Sequence, residues 1–389
     1  MKINEISLSE PYLFGNEKKY INECIDSNWV STAGYFVEKF EQEIAKFCNV
    51  KYAVSCNSGS SALDIALKLA GVEKYDEVIV PTLTFIASVN AIAYNQAHPL
   101  FIDVDEYFNL DVTKYINFIK NNTFKKDGYT FNLKTKRRIK AIMPVHVWGN
   151  AVNFSSLLNF CKDQNIEIVE DATESLGSRY SSYEMKKKKP GGLGLVGCLS
   201  FNGNKIITSG GGGMILTNNK NLAKKALYLT TQAKDDSLRF IHNNIGYNYR
   251  LPNINAALGL AQLENINEIL KLKKQNYNLY RDLFRNHKKL SICDTPSYAE
   301  NNHWMNILRI ESNKKNIFEP LLKHLIKLGI QVRPIWYLNH KQRQYVDCSR
   351  DDLSYAESLY SNSLCLPSST GIKKSQIEIV AKEIKAFID

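Results

Sequence analysis

Residues 51–70 read KYAVSCNSGSSALDIALKLA. KYAVS (51–55) is an apolar run of strand length, and SSALDIALKLA (60–70) carries apolar residues at helical spacing. Between them stands Cys56-Asn57-Ser58-Gly59-Ser60-Ser61, a turn of one glycine and several hydroxyls. A strand that feeds a helix in this way is the repeating unit of a parallel α/β sheet. The unit recurs outward from here. EVIVP (77–81) reads as a strand and 85–94 as a helix, 99–104 as a strand and 112–120 as a helix. Strand 139–147, helix 154–163 and strand 166–170 follow, with two more short strands at 198–201 and 213–217. The expected fold is α/β: a mostly parallel sheet with helices on both faces and right-handed crossovers. Ligands in such sheets bind beyond the carboxyl ends of the strands.

Two segments break the rhythm. Residues 121–138 are polar and basic and read as a surface hairpin or loop, and 181–194 hold the four-lysine run 186–189. After about residue 250 the pattern changes. Residues 254–287 are helical with one break, and the rest reads as a smaller α+β unit: strand 304–310, helix 318–328, strand 331–335 and terminal helix 374–388. The expected division is a large domain at 1–250 and a small one at 251–389.

A chain of 389 residues with 44% hydrophobic and 23% charged residues is neither disordered nor collagen-like. The net charge of +11 reads either as a lysine-rich surface or as a sign of an anionic partner. The eight cysteines form no C-x-x-C pair and no zinc spacing, so reduced thiols and a cytoplasmic location are expected. The opening MKINEISLSEPYLF has no long apolar core of a signal peptide, and no run of membrane-spanning length occurs.

Three elements carry chemistry. The turn 56–61 offers free N–H groups at a helix start together with hydroxyls, which suits a phosphate; it reads equally as a serine N-cap. Glu170-Asp171 closes the strand IEIVE, where site carboxylates stand, although solvated or capping acids also occur there. Lys205 lies in SFNGNKIITSGGGG (200–213), between a strand and four glycines that permit close backbone approach. Taken in order, these suit pyridoxal 5'-phosphate. That cofactor needs a phosphate anchor, a carboxylate facing its pyridinium nitrogen and a Schiff-base lysine.

With these motifs the chain resembles the DegT-type sugar-nucleotide aminotransferases, pyridoxal-phosphate enzymes of the aspartate-aminotransferase fold (fold type I). The resemblance is nearly full length. It runs through WVSTAG (29–34), NSGSSAL (57–63), DEVIVPTLTFIAS (76–88), AIMPVHVWG (141–149), EDATESLGS (170–178), SFNGNKIITSGGGGM (200–214) and IGYNYRLPNINAALGLAQLE (245–264). It implies that Lys205 is the Schiff-base lysine and later shuttles a proton, and that Asp171 pairs with the ring nitrogen. Glu174 would stand near the phenolic oxygen and Phe85 would stack on the ring. Gly59, Ser60 and Ser200 would hold the phosphate, with Ser61 and Asn202 among the cofactor-binding residues. Asn248 would reach the phosphate from a partner subunit, which implies a homodimer with shared sites. His146, Trp148 and Arg333 are candidates for substrate contact, each also readable as a structural residue.

The motif versions are similar to the subgroup that aminates C4 of 4-keto-6-deoxy sugar nucleotides, and within it to the legionaminic-acid-pathway type. The implied reaction moves an amino group from L-glutamate to a nucleotide-linked keto sugar, with UDP as the expected carrier, in bacterial amino-sugar glycan biosynthesis. A GDP-linked 4-aminotransferase, a C3 aminotransferase and a non-catalytic regulator of the same fold are the alternatives. Departures from the family pattern are Ser60 for the usual threonine, Leu195 for a frequent aspartate and a long lysine run. Nucleic acid and membrane are not expected partners: charge alone points to them, without a zinc finger or an arginine-rich arm.

Overall fold

The computed structural model describes residues 5–182, 185–186, 188–311 and 317–389. Lys187 of the lysine run and the first four residues of the chain lie outside these. Helices α1 (Glu17–Asp26) and α2 (Tyr35–Cys48) precede β1 (Tyr52–Cys56). The α/β core continues through α3 (Gly59–Leu69), β2 (Glu77–Pro81), α4 (Ile86–Tyr94), β3 (His98–Ile102) and α5 (Val112–Asn122). A hairpin of β4 (Thr123–Lys126) and β5 (Tyr129–Asn132) leads to β6 (Ile139–Ile142), α6 (Leu157–Gln164), β7 (Glu167–Asp171) and β8 (Arg179–Tyr180). β9 (Val196–Ser200), β10 (Gly213–Thr217) and α7 (Lys220–Thr230) follow.

The seven-stranded sheet has the order β1-β10-β9-β7-β6-β2-β3. Neighbours from β9 to β3 are parallel, and β10 runs against both β9 and β1. β1, β2, β7 and β9 therefore end on one edge, where β10 begins. Register aligns Cys56 with Gly213, Gly213 with Ser200, and Cys198 with Asp171. The serine turn, the lysine segment and the acidic pair thus share that edge. Both faces are covered, as side-chain alternation along a strand requires. Val78 and Val80 of β2 pack with Leu63 of α3 and Ile92 of α4, whereas Ile79 packs with Tyr115 of α5 and Leu157 of α6.

The long helical stretch is two helices, α8 (Asn253–Glu264) and α9 (Ile266–Phe284). They part at Asn265, whose side chain bonds the Ala261 carbonyl at 3.1 Å. β11 (Leu290–Ile292), β12 (Ala299–Glu300), β13 (Asn306–Ile310), α10 (Phe318–Lys327), β14 (Arg333–Pro334), α11 (Ser354–Asn362), β15 (Ser363–Leu366) and α12 (Lys374–Ile388) complete the chain. An antiparallel sheet β11-β13-β15-β14 packs with α9, α10 and α12 around Tyr280, Leu321, Leu325, Ile377 and Ile384. Helix α8 lies past residue 250, and its Ala256, Leu260 and Leu263 join the core of the large sheet.

Some expected elements are shorter. The strand expected at 139–147 stops at Ile142, just ahead of Pro144, which has no N–H to give a ladder. The strand expected at 331–335 is the two residues Arg333–Pro334. The basic segment 121–138 is a hairpin anchored inward: Asn132 donates to Glu77 at 2.8 Å and Thr130 to the Gln164 carbonyl at 2.8 Å. Helices α1, α2, α7 and α11 have no counterpart in the sequence reading. Among the described residues no helix is long and apolar enough to cross a membrane.

Candidate active site

A cavity of about 300 Å³ opens at the shared strand edge. Its cradle is the start of α3, with Ser58, Gly59 and Ser60 on the wall. Ser58 caps the helix by accepting the Ser61 N–H at 3.0 Å. The N–H groups of Gly59 and Ser60 belong to the first turn, which has no intrahelical acceptors for them. A Cβ on Gly59 would stand 2.9 Å from Ser200 Cβ and 3.3 Å from Thr173 Cγ2, so glycine leaves the cradle open. Gly211 and Gly212 line the same cavity. A Cβ on Gly213 would lie 2.3 Å from the Ser58 carbonyl oxygen, so β10 and the cradle touch backbone to backbone.

The two acids at the end of β7 face opposite ways. Asp171 lines the cavity. It accepts the Ser88 hydroxyl at 2.6 Å and the Thr173 N–H at 3.1 Å. Thr84 Oγ1 stands 3.0 Å from Ser88 Oγ, and it donates, because Ser88 spends its one hydrogen on Asp171. Glu170 points away and accepts the N–H groups of Gly191, Leu193 and Gly194 at 2.8, 2.6 and 2.6 Å. His146 Nε2 is 3.1 Å from Glu170. Its Nδ1 accepts the Val152 N–H at 3.1 Å, so Nε2 carries a proton and donates to the acid.

Glu174 and Lys205 meet above this edge. Lys205 Nζ lies 3.7 Å from Glu174 Oε1 and 4.2 Å from the Trp304 ring centroid. Glu174 is buried and also accepts the Trp148 N–H at 2.7 Å. Burial pushes its carboxyl up, and the Lys205 ammonium pulls the other way. Trp304 is itself fixed, donating its indole N–H to the Asn204 carbonyl at 2.5 Å. Behind it, Lys273 of α9 is buried and donates to the carbonyls of Trp304 (3.1 Å) and Ser368. Burial without a carboxylate lowers Lys273 to about 7. Phe85 is half exposed into the cavity, edge-on to Trp336 at 5.3 Å and 65°.

Eight of the candidates, Gly59, Ser60, Phe85, Asp171, Glu174, Ser200, Asn202 and Lys205, line one cavity. Five do not. Ser61 gives its hydroxyl to Asn57 at 2.6 Å and stands 2.8 Å from Ser58. His146 is fully buried, with both ring nitrogens used inside the protein. Trp148 is buried against Phe108 and Trp336 and reaches the site through its backbone N–H alone. Arg333 is exposed and folds back on the Val332 carbonyl at 2.8 Å. Asn248 is exposed, and its carbonyl accepts from Asn57 at 3.3 Å. The residue reading missed Thr84 and Ser88, which flank Phe85, and Trp304 and Trp336, which join the wall from remote segments. Thr84 and Ser88 both lie in the quoted motif 76–88, the signal available for these two. All eight cysteines are free.

The residues fit pyridoxal 5'-phosphate: a cradle kept open by Gly59, a carboxylate held by two donors and a lysine within the same small cavity. Fold and site together define the class of pyridoxal-phosphate aminotransferases. The profile of the DegT/DnrJ/EryC1/StrS aminotransferase family matches residues 12–385, and the chain belongs to that family. Its members are pyridoxal-phosphate-dependent sugar aminotransferases. Similar proteins include a GDP-perosamine synthase from Caulobacter vibrioides, 37% identical over 96% of each chain. A GDP-perosamine synthase from Escherichia coli O157:H7 is 34% identical over 98% of each. Among solved structures, Helicobacter pylori PseC, an aminotransferase involved in pseudoaminic acid biosynthesis, superposes with a TM-score of 0.88 over 99% of each chain at 24% identity, a likeness of fold.

Proposed function

We propose that this enzyme moves the amino group of L-glutamate to C4 of a GDP-linked 4-keto-6-deoxyhexose. The donor leaves as 2-oxoglutarate, which takes up the oxygen that the sugar gives up. The carrier nucleotide differs from the UDP expected at first, because relatives at 37% and 34% identity make a GDP-linked amino sugar. The observation that carries the chemistry is Lys205, held between Glu174 and Trp304 in one cavity with Asp171.

When bound, the cofactor supplies an electron sink for cleavage of a C–H bond. Lys205 would anchor it, take the proton from Cα of glutamate and deliver a proton to C4 of the sugar. Asp171 would pair with the pyridine nitrogen, and the Ser58–Ser60 turn with Ser200 would hold the phosphate. Phe85 would cover a ring face, and Glu174 would stand by the phenolic oxygen.

The enzyme acts as a homodimer on this reading. Leu238, Phe240 and Ile245 are 81%, 69% and 83% exposed on the loop before Asn248, and Trp29 is 58% exposed. So much bare apolar surface is the mark of an interface. A second copy would cover it, and Asn248 is the residue expected to reach the neighbouring cradle. The free thiols support a reducing, cytoplasmic setting.

The test is incubation with glutamate and either GDP- or UDP-linked 4-keto-6-deoxy sugars, with NMR of the product. Amination of the GDP sugar is expected. Turnover confined to a UDP-linked 2-acetamido sugar overturns the carrier assignment. A Lys205→Ala protein that keeps the bound cofactor's visible absorbance overturns the lysine's role.

A further inference from the structure

We propose that the cleft between α9 and residues 294–303 is a second binding site, one that takes a diphosphate-bearing anion. The cleft encloses about 490 Å³ on the far side of the 301–304 segment from the cofactor cavity, and the two share no lining residue. Lys271, Lys274 and Arg281 of α9 line it at spacings that place them on one helix face. Arg179 of β8 and Lys189 enter from across the cleft.

The acids on the wall do not balance these cations. They are Asp294 and Glu300, and Glu300 is taken by Arg179 at 2.8 Å. Lys271 is paired outside the cleft with Glu268 at 3.3 Å, and Lys189 bonds the Phe47 carbonyl. Lys274 and Arg281 have no carboxylate within ion-pair distance among the described residues; Arg281 rests 5.7 Å from the Tyr277 ring. The floor is His303, 8% exposed and stacked on Tyr277 at 4.1 Å with 21° between planes. Burial, then Lys274 and Arg281, hold this imidazole down at about 3, so the ring is neutral and the positive field comes from the rim. Asn278 and Thr295 add neutral polar groups. Cations converging from separate elements on a concave, donor-lined space recognise a phosphate chain through charge-assisted hydrogen bonds.

The cleft is wired to the catalytic side. Lys274 lines it while the preceding residue, Lys273, turns inward to the Trp304 carbonyl at 3.1 Å. His303 forms the floor while the following residue, Trp304, packs on Lys205. Along 303–304 an occupant thus stands one residue from Trp304, the partner of Lys205, and along α9 one residue from Lys273, which holds the Trp304 carbonyl.

Calorimetric titration of the cofactor-loaded enzyme tests this, since loading fills the Ser58–Ser60 cradle. Inorganic pyrophosphate and GDP are the probes. Pyrophosphate is expected to bind, and the Lys274→Gln/Arg281→Gln protein to bind it about tenfold or more weakly, with affinity falling as salt rises. These side chains are exposed on a helix, and unchanged cofactor absorbance confirms the variant's fold. Single Lys274→Gln is the second variant, with a smaller loss. Equal variant-sensitive affinity for both probes identifies the diphosphate alone as ligand. Tighter variant-sensitive GDP binding adds the nucleoside. Absent pyrophosphate binding, or an equal loss in a Lys125→Gln/Lys126→Gln control on the exposed hairpin, overturns the proposal.

Discussion

Ser88 donates its hydroxyl to Asp171 at 2.6 Å, joining the first turn of α4 to the last residue of β7. With the Thr173 N–H on the other oxygen, the bond fixes the plane of the carboxylate that faces the cavity. A hydrogen bond to a charged group contributes about 1.5–3 kcal/mol. Ser88→Ala is therefore expected to raise the cofactor's dissociation constant roughly tenfold or more. Absorbance titration of the apo-protein reads this directly. Unchanged affinity would remove Ser88 from the site.

Glu170 should answer differently from its neighbour. Glu170→Ala strands three backbone N–H groups and the His146 ring donor in a buried place. A loss of at least about 3 kcal/mol in a denaturant melt is expected. Cofactor affinity at low temperature should stay near that of the parent, because Glu170 does not line the cavity. A drop of under about 1 kcal/mol would contradict the structural role.

Lys273 ties stability to pH. Its folded value of about 7 lies below the value of about 10.4 for an unfolded lysine. Between these values the unfolded chain binds the proton and the folded one does not, so this group makes stability rise with pH. Below about 7 both states are protonated, and the cost of the buried charge is present in full. Lys273→Met should flatten the rise in apo-protein stability from pH 7 to 10 relative to the parent. Parallel stability curves for the two proteins would sink the assignment.

Gly59 is expected to tolerate no methyl group. The added Cβ stands 2.9 Å from Ser200 Cβ, and overpacking of this kind costs about 1–3 kcal/mol. Gly59→Ala is expected to lower apo-protein stability by about 1–3 kcal/mol, because the clash is with a protein atom, and to weaken cofactor binding as well, because Ser200 and Thr173 must shift at the cradle to relieve it. Full cofactor affinity in the variant would show that the cradle lies elsewhere.

Glu174→Gln supplies a second pH probe. Burial raises the folded carboxyl above its unfolded value, so the group costs stability as pH climbs through the unfolded value toward the folded one. The variant should gain on the parent over that window and run level with it in more acid solution. A constant difference at all pH values would contradict this.

The motif-borne part of the site was legible because each piece is contiguous. Gly59 and Ser60 lie in one turn, Asp171 and Glu174 in one strand end, and Ser200, Asn202 and Lys205 in one segment. A strand end says less about which of its residues face the ligand. His146 and Arg333 sit near strand ends, yet the first turns into the core toward Glu170 and the second out to solvent.

The alternation of apolar strands and helices along 51–217 was enough to set the parallel α/β sheet, since both faces must bury alternating side chains. It was enough, too, to place a lysine, a carboxylate and a serine-rich helix start at one edge. Only the tertiary structure decided what surrounds Lys205. Trp304 and Trp336 come from segments outside the quoted motifs, and Lys273 reads in the sequence as one more surface lysine. Packing α9 against the 304 and 368 segments buries that ammonium and fixes Trp304, a long-range event that no window of sequence contains.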